Sequence, residues 1–494
     1  MSIKATHPHY AATIEDQQLM RAAYSGERVI KEADITYLPP TPGMMIDGML
    51  IGQDGRMAYD SYKMRALFPD FVSDAVEALL GLMHQNDPTI ELPAAMEPLR
   101  MRATADGEGL HNLLRRINEQ QLVAGRVGAL LDLPANPDPA HPLPFISLYY
   151  AEALRNWDNG MDGVDENKLT LVVLDESGFK REGFDWVAEE RYRVLALGGT
   201  ADPALPVGYS TYLFKASDGY SATSMVNPTL RGTKLDHIPF VFINSKDILA
   251  TPDNPPLLGL ARIALAVYRG EADYRQTLFM QGQDTLVVVG GIKAGEGEQT
   301  RVGAGAKLEV DIGGDAKYIG VSSTGLPELR MSLENDRKAA IAKTGQLIDA
   351  MGSKQESGEA LKTRLAAQTA TLNQIAKSGA AALENLLKSA AVWMGQDPEK
   401  VKVMPNLEFA DMEIGAKDFV DLMSAKNMGL PLSKESIHAI LQERGLTQFD
   451  FEEEEDLIET ENPLAGTMAG GLAVLPPPGE PAGKDPKEDD NGKE

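Results

Sequence analysis

Residues Pro255–Gly290 read PPLLGLARIALAVYRGEADYRQTLFMQGQDTLVVVG, and their character changes part-way along. Asn254 followed by Pro255 and Pro256 marks a helix start, because the first turn needs no N–H from proline and the ring holds φ near its helical value. Leu257, Leu260, Ala261, Ala264, Leu265, Tyr268, Ala272 and Leu278 then recur at helical spacing, which predicts a helix to about Gln281. From Thr285 to Val321 the chain is glycine-rich, with short strand patterns and no helix signal. Helical spacing resumes at Pro327 and runs through Arg330, Leu333, Arg337, Ala340, Ile341 and Leu347 to Met351. Two helices therefore bracket a small β insertion, as the legs of a hairpin bracket its tip.

A short polar loop, Gly352–Gly358, follows, and helix returns after it. Leu361, Leu365, Leu372, Ala376, Leu383, Leu387, Ala390 and Met394 form one apolar stripe. Continuous from Glu359 to about Gly395, this helix is roughly 55 Å long at ~1.5 Å per residue, with Gly379 as its expected soft point. A helix that long needs a partner surface, within the chain or in a second copy.

Upstream, residues 1–256 mix helix and strand patterns. Phe71, Val72, Ala75, Leu79, Leu80 and Met83 predict a helix that stops at the turn His84–Pro88. A helix begins at Leu110 and gives way to an apolar strand near Leu130. Strands are expected at Leu169–Glu176, Arg191–Leu197 and His237–Asn244, so the body is α+β. Downstream, Leu432–Gly445 reads as a short helix capped by Ser433. The acidic run Phe451–Glu461 reads as a solvated face, and residues 462–494 lack the apolar content to order themselves.

Composition narrows the chemistry. The 494 residues are 43% hydrophobic and 24% charged, as in globular chains, and long enough for more than one substructure. A net charge of -26 argues against a broadly basic nucleic-acid-gripping surface, which needs many Lys and Arg on one face. There is no cysteine, which removes disulfides, thiolate metal sites and cysteine nucleophiles. No run of about 18 apolar residues occurs and the N-terminus lacks a secretory pattern, so no membrane partner is expected and a cytoplasm-like compartment is.

No catalytic motif emerges. Gly303, Gly305 and Lys307 give G-A-G-A-K-L, which lacks the spacing and hydroxyl residue of a phosphate loop. The seven histidines show no metal-ligand spacing and there is no G-x-S-x-G elbow, so neither metal nor cofactor nor enzymatic activity is expected. From Glu328 to Val392, nine basic residues face seven acidic ones, a window of +2 in a strongly acidic chain. Such a surface can lie beside a polyanion without holding it tightly.

The order of these pieces resembles the portal proteins of tailed bacteriophages. The resemblance is carried by YLPP (Tyr37–Pro40), the run from Phe68 to IELP (Ile90–Pro93), AGRVGALLDLP (Ala124–Pro134), the stretch Pro255–Gly290 and LPELRMSLEN (Leu326–Asn335). It covers roughly residues 7–461 and leaves the tail uncovered. It implies a ring subunit: a mixed α/β wing (1–256), a two-helix stem (257–284 and 326–351), a β-rich clip (285–325), a tunnel loop (352–358), a long helix (359–400) and a helical crown (401–461), before the tail (462–494).

The resemblance further implies a homo-oligomer, typically a dodecamer, at one capsid vertex of the virion, assembled in the host cytoplasm. Its partners would be the terminase large subunit, head-completion and adaptor proteins, the major capsid and scaffold proteins, and double-stranded DNA in the channel. Ser353, Lys354, Gln355, Glu356 and Ser357 would lie near DNA, with Gly352 and Gly358 as hinges. Lys293, Arg301, Lys307 and Lys317 would make clip contacts. The alternatives are another virion adaptor or scaffold ring, or a phosphate-binding enzyme using the glycine-rich segment.

Overall fold

The computed structural model describes residues 2–134, 143–159, 169–198, 207–281, 285–289, 313, 315–319, 325–348, 358–407, 424, 433–443, 447 and 449–461. The chain divides into two compact units, Met1–Ala410 and Asp411–Glu494. The fold is α+β. In the first unit the helices are α1 (Pro8–Ser25), α2 (Glu27–Glu32), α3 (Pro42–Ile46), α4 (Asp54–Arg65), α5 (Phe71–Met83), α6 (Leu110–Ala124), α7 (Leu258–Gln281), α8 (Leu326–Ile348) and α9 (Gly358–Met394). The strands are β1 (Thr89–Glu91), β2 (Arg126–Asp132), β3 (Phe145–Tyr150), β4 (Leu154–Asp158), β5 (Leu171–Asp175), β6 (Gly178–Glu182), β7 (Asp185–Glu189) and β8 (Arg191–Gly198), then β9 (Gly208–Lys215), β10 (Ala222–Val226), β11 (Thr229–Leu230), β12 (Thr233–Lys234), β13 (Phe240–Asn244), β14 (Thr285–Val289), β15 (Asp315–Ile319) and β16 (Lys402–Met404).

Two antiparallel sheets form the β body, ordered β13-β2-β3 and β10-β9-β8-β5-β4. The side chains alternate as a half-buried sheet requires: Val172 and Leu174 of β5 face one cluster with Leu195, while Val173 faces another with Val194 and Ala196. Between the sheets, Arg126 is fully buried. Its guanidinium lies 4.0 Å from the Phe242 ring centroid and 4.4 Å from that of Trp157, and donates to the Ala250 carbonyl at 2.6 Å. Burial pulls its pKa down to about 9. Gly125, which caps α6 in the left-handed region at φ 72, turns the chain from helix into β2 and lies against Pro255.

The helical core gathers α1, α4, α5 and α7, with Met20, Tyr59, Leu79, Ala261 and Tyr268 inside. All the residues read on α5 are buried except Phe71, which is half-buried. The second core packs α6 on β2 and β3. Helix α9 belongs to both: Leu372, Ile375 and Ala376 enter the helical core, and Leu383, Leu386 and Leu387 the second. It therefore ties the helical body to the sheets.

Two expectations change. Gly379 is no soft point, since α9 runs unbroken through it. A Cβ there would come within 2.6 Å of Asn118 Oδ1 and 2.9 Å of Gln121 Oε1, so the glycine lets α6 approach closely. Beside it Ser378 Oγ and Gln121 Nε2 both donate to the Asn244 carbonyl, at 2.6 and 2.7 Å. The span 401–461, read as helical, begins with a strand: β16 pairs antiparallel with β1, Ile90 opposite Val403.

In the second unit, the helix Lys434–Glu443 is capped by Ser433, whose hydroxyl accepts from the Ser436 N–H at 3.0 Å. The acidic run is itself a helix, Phe451–Glu461, with Glu452, Glu453 and Glu454 in its first turn, where the helix dipole favours negative charge. His438 meets the Phe451 ring edge-on at 5.4 Å. The tail beyond Glu461 lies outside the described residues.

Candidate functional site

The site begins where α7 leaves the helical core. Its residues up to Ala272 include Leu260, Ala261, Ala264, Val267 and Tyr268, all buried, whereas Leu278, Phe279 and Met280 are exposed. Leu278, read as a continuation of the buried stripe, thus falls on the part that protrudes. Helix α4 braces the exit: Tyr62 Oη donates to Asp273 Oδ1 at 2.6 Å, and Arg65 donates to Gln276 Oε1 at 2.6 Å while its guanidinium covers the Phe279 ring at 3.9 Å. Burial, then the Asp273 carboxylate, pushes the Tyr62 phenol far up, so it stays a donor at any ordinary pH. The YLPP segment joins in: Arg269 donates to the Tyr37 carbonyl at 2.9 Å and Tyr59 to that of Leu38 at 2.8 Å.

Helix α8 returns antiparallel to α7, and the sequence of α7 explains how. Gly259 and Gly270 lie eleven residues apart, three helical turns, and so share a face. A methyl at Gly270 would come within 2.8 Å of the Leu333 side chain, and one at Gly259 would collide with Lys343 Nζ. Missing side chains on α7 thus make room for long ones on α8. Between them Glu271, only 4% exposed, accepts from Arg275 of its own helix and from Arg337 of α8, both at 2.6 Å. This clamp neutralises a charge that burial would otherwise penalise, and fixes the register of the pair. In the sequence this clamp is marked only by Glu271 and Arg275 spaced i, i+4, a pattern common enough on helix surfaces to pass unnoticed.

At the far end of the helix pair, β14 and β15 form a five-residue antiparallel ladder, Thr285 opposite Ile319 and Val289 opposite Asp315. Lys317 projects from β15, largely exposed, and pairs with Asp315 at 3.0 Å. It is accessible to a partner but already engaged. Lys293, Arg301 and Lys307 lie outside the described residues, as do Gly352, Ser353, Lys354, Gln355, Glu356 and Ser357. Gly358 is the first residue of α9.

The near-neutral window is partly spent internally. Arg330 pairs with Glu334 at 3.0 Å, Lys388 with Glu384 at 2.7 Å, and Arg337 with Glu271. Among the described residues no group of histidine, aspartate and glutamate could hold a metal ion, and no helix is long and apolar enough to cross a membrane.

A family model described as a domain of unknown function, DUF4055, matches residues 256–394, the span from the start of α7 to the end of α9. The comparison with curated proteins finds no match. Among solved structures, the chain is similar to one in the neck of an empty GTA particle computed with C6 symmetry. Identity is 13% and the TM-score 0.36, with 76% of this chain and 90% of that chain covered. A chain in the neck of a native GTA particle computed with C12 symmetry gives 13% identity and a TM-score of 0.34, covering 75% of this chain and 89% of that one.

Proposed function

We propose that this chain is the subunit of a portal-type ring in a tailed-phage-like particle: a head-to-tail connector whose channel passes double-stranded DNA. One observation carries the reading. The chain leaves a buried body as an antiparallel two-helix arm, α7 and α8, bears a small β ladder at its far end, and re-enters the body as the 37-residue α9. That is the order of stem, clip and long helix that the sequence motifs imply. The arm is built for support from outside: of the α8 residues up to Lys343, Leu333 and Ala340 alone are buried, while Met331 and Ile341 stand exposed. A neighbouring copy in a ring supplies the missing surface.

In this reading the protein is not an enzyme, and ATP hydrolysis belongs to a terminase that docks on the clip. The loop 352–358 reaches DNA, and its single lysine between glycines gives weak phosphate contact rather than a brake, because each phosphate neutralised adds affinity. Capsid, scaffold and head-completion proteins are the other partners, at one vertex of the virion.

Light scattering followed by electron microscopy of the purified full chain tests it. A species about twelve times the chain mass, seen as a ring with a central hole, is expected. A stable dimer that never forms a ring, at any concentration, sinks the reading. For the loop, cross-linking from residues 353–357 to DNA in filled heads is expected; labelling elsewhere in the channel but never there removes the loop assignment.

A further inference from the structure

Away from the arm, two apolar surfaces among the described residues of the first unit face solvent, and they differ in kind. One is the ribbon β6–β7, which continues the β5–β8 pair beyond the edge of its sheet: Glu176 N–H still reaches the Arg191 carbonyl at 2.8 Å, and past it every residue from Ser177 to Ala188 is exposed. Cross-strand register puts Phe179 opposite Ala188 and Arg181 opposite Trp186. One face therefore carries Phe179, Arg181, Trp186 and Ala188, with Phe179 73% and Trp186 66% exposed and Phe184 at the turn fully so. An isolated two-stranded ribbon is marginal in water, and one that offers two large aromatics has no reason within this chain to do so.

The other surface is helical. Gly55 at the start of α4 is pressed against the backbone of Met44 and Met49, which holds α3, the turn after it and α4 together. Outward from them point Ile46, 84% exposed, Leu50, Ile51, Met57 and Met64, 74% exposed. On α4 the exposed stripe Met57, Ala58, Ser61, Met64 contains no charge. Exposed clusters of this kind on a soluble chain mark interaction sites.

We infer that the aromatic face of the ribbon in one copy docks on the α3–α4 surface of a second copy, in a head-to-tail contact. This rests on the ring reading. Three observations select a second copy as the occupant. The two surfaces are unlike and lie on separate parts of the first unit: Met44, Met49, Tyr59 and Tyr62 seat the α3–α4 corner in the helical core, while the ribbon extends from the β5–β8 pair, so each copy has one of each to offer. A contact that uses one per copy leaves the other free for the next subunit, the geometry that closes a ring. The charges also match. Among the described residues Arg181 makes no ion pair, while on the opposite face Lys180 takes Glu182 at 3.4 Å. Around the helical surface Arg56 is held by Asp34 and Asp60, Lys63 by Asp34, and Arg65 by Gln276, whereas the exposed carboxylates Asp47 and Asp54 have no ion-pair partner among the described residues. A lone cation set among aromatics therefore meets an apolar surface edged by free carboxylates. With 26 net negative charges per chain, an apolar contact of local charge complementarity is what brings copies together against their general repulsion.

The chain has no cysteine, which permits a clean test. Ala188→Cys and Ser61→Cys are made separately in the full-length protein, both at exposed positions. Mild oxidation of the mixture is expected to give a disulfide-linked dimer that neither variant gives alone. Adding Trp186→Ser to the Ala188→Cys chain should cut the yield about tenfold or more, as for loss of an aromatic anchor. No cross-link in a sample that scatters as a ring overturns the contact and leaves the ring reading intact. A cross-link of either variant with itself also overturns it, because that contact is like-to-like. A chain that is monomeric at every concentration and never cross-links overturns both. A mixed cross-link without any ring upholds the contact and removes the ring.

Discussion

Helices α8 and α9 are neighbours in the chain, both longer than twenty residues and both with apolar residues at helical spacing, yet the fold treats them differently. The second half of α9 is sunk in the body, with Leu372, Ile375, Leu383, Leu386, Leu387 and Ala390 all buried. Helix α8 buries Leu333 and Ala340 against α7 and leaves Ile341, one residue further on, 65% exposed. An apolar stripe states that a helix has a partner; it does not state whether the partner is in the same chain. The second half of α9 finds its cover within one chain, and the described part of α8 largely does not.

The strongest attack on this contrast is Leu383→Ala. The side chain is fully buried in the second core, so the truncation should cost about 2–5 kcal/mol in denaturant unfolding with an unchanged slope. A cost below about 1 kcal/mol would mean that α9 is no better packed than α8. Next is Glu271→Gln in the clamp between α7 and α8. It strips the charged partner from two half-exposed arginines, and about 1–3 kcal/mol should be lost, together with faster proteolysis of the arm. Unchanged proteolysis would show that the glycine seam alone holds the pair.

A pH experiment probes the α6 side of the body. His84 bonds Asn118, whose oxygen faces Gly379 of α9. Burial, then nearby Arg115, pulls the His84 pKa from 6.5 down to about 4. The unfolded chain therefore takes up the proton first. The stabilising contribution is complete above pH 6.5 and is lost as the pH falls from there toward 4, on the order of 1–2 kcal/mol once its partial exposure is allowed for. His84→Gln should flatten that part of the stability curve. Asp34 acts in a lower window: burial opposes its charge, but Arg56 and Lys63 outweigh it and hold the pKa below the ordinary value, so its share is lost only under more acid conditions. The smallest effect belongs to α8. Ile341→Ser should change the stability of the single chain by less than about 0.5 kcal/mol while weakening assembly measured by light scattering. A larger loss in the isolated chain would mean that the arm is already complete.

Much of the fold was legible because helices announce themselves locally. The double proline before α7, the periodicity of α5 and the strand-forming runs of β5, β8 and β13 place those elements within a few residues of where they lie. Three-residue strands carry no such signal, and β1 pairs with β16 from the other end of the unit, so a strand opens the span 401–461 that was read as helical. Gly379 was misread for a related reason. Helix propensity counts a glycine as a weak point, whereas its value here lies in the amides of Asn118 and Gln121 pressed against it. Of the candidate contact residues on the insertion, Lys317 was legible as exposed chemistry, but its pairing with Asp315 depends on how side chains fall along β15.

The sequence by itself determined the alternation of helix and strand, the two-helix arm with its β insertion and the absence of thiol chemistry, since propensity, periodicity and composition act over a few residues. The tertiary structure alone decided which apolar faces find cover: the second half of α9 inside the body, α8 up to Lys343 largely bare, the β6–β7 ribbon and the α3–α4 corner in water. Burial depends on residues hundreds of positions apart meeting at one surface, and no local pattern encodes that meeting.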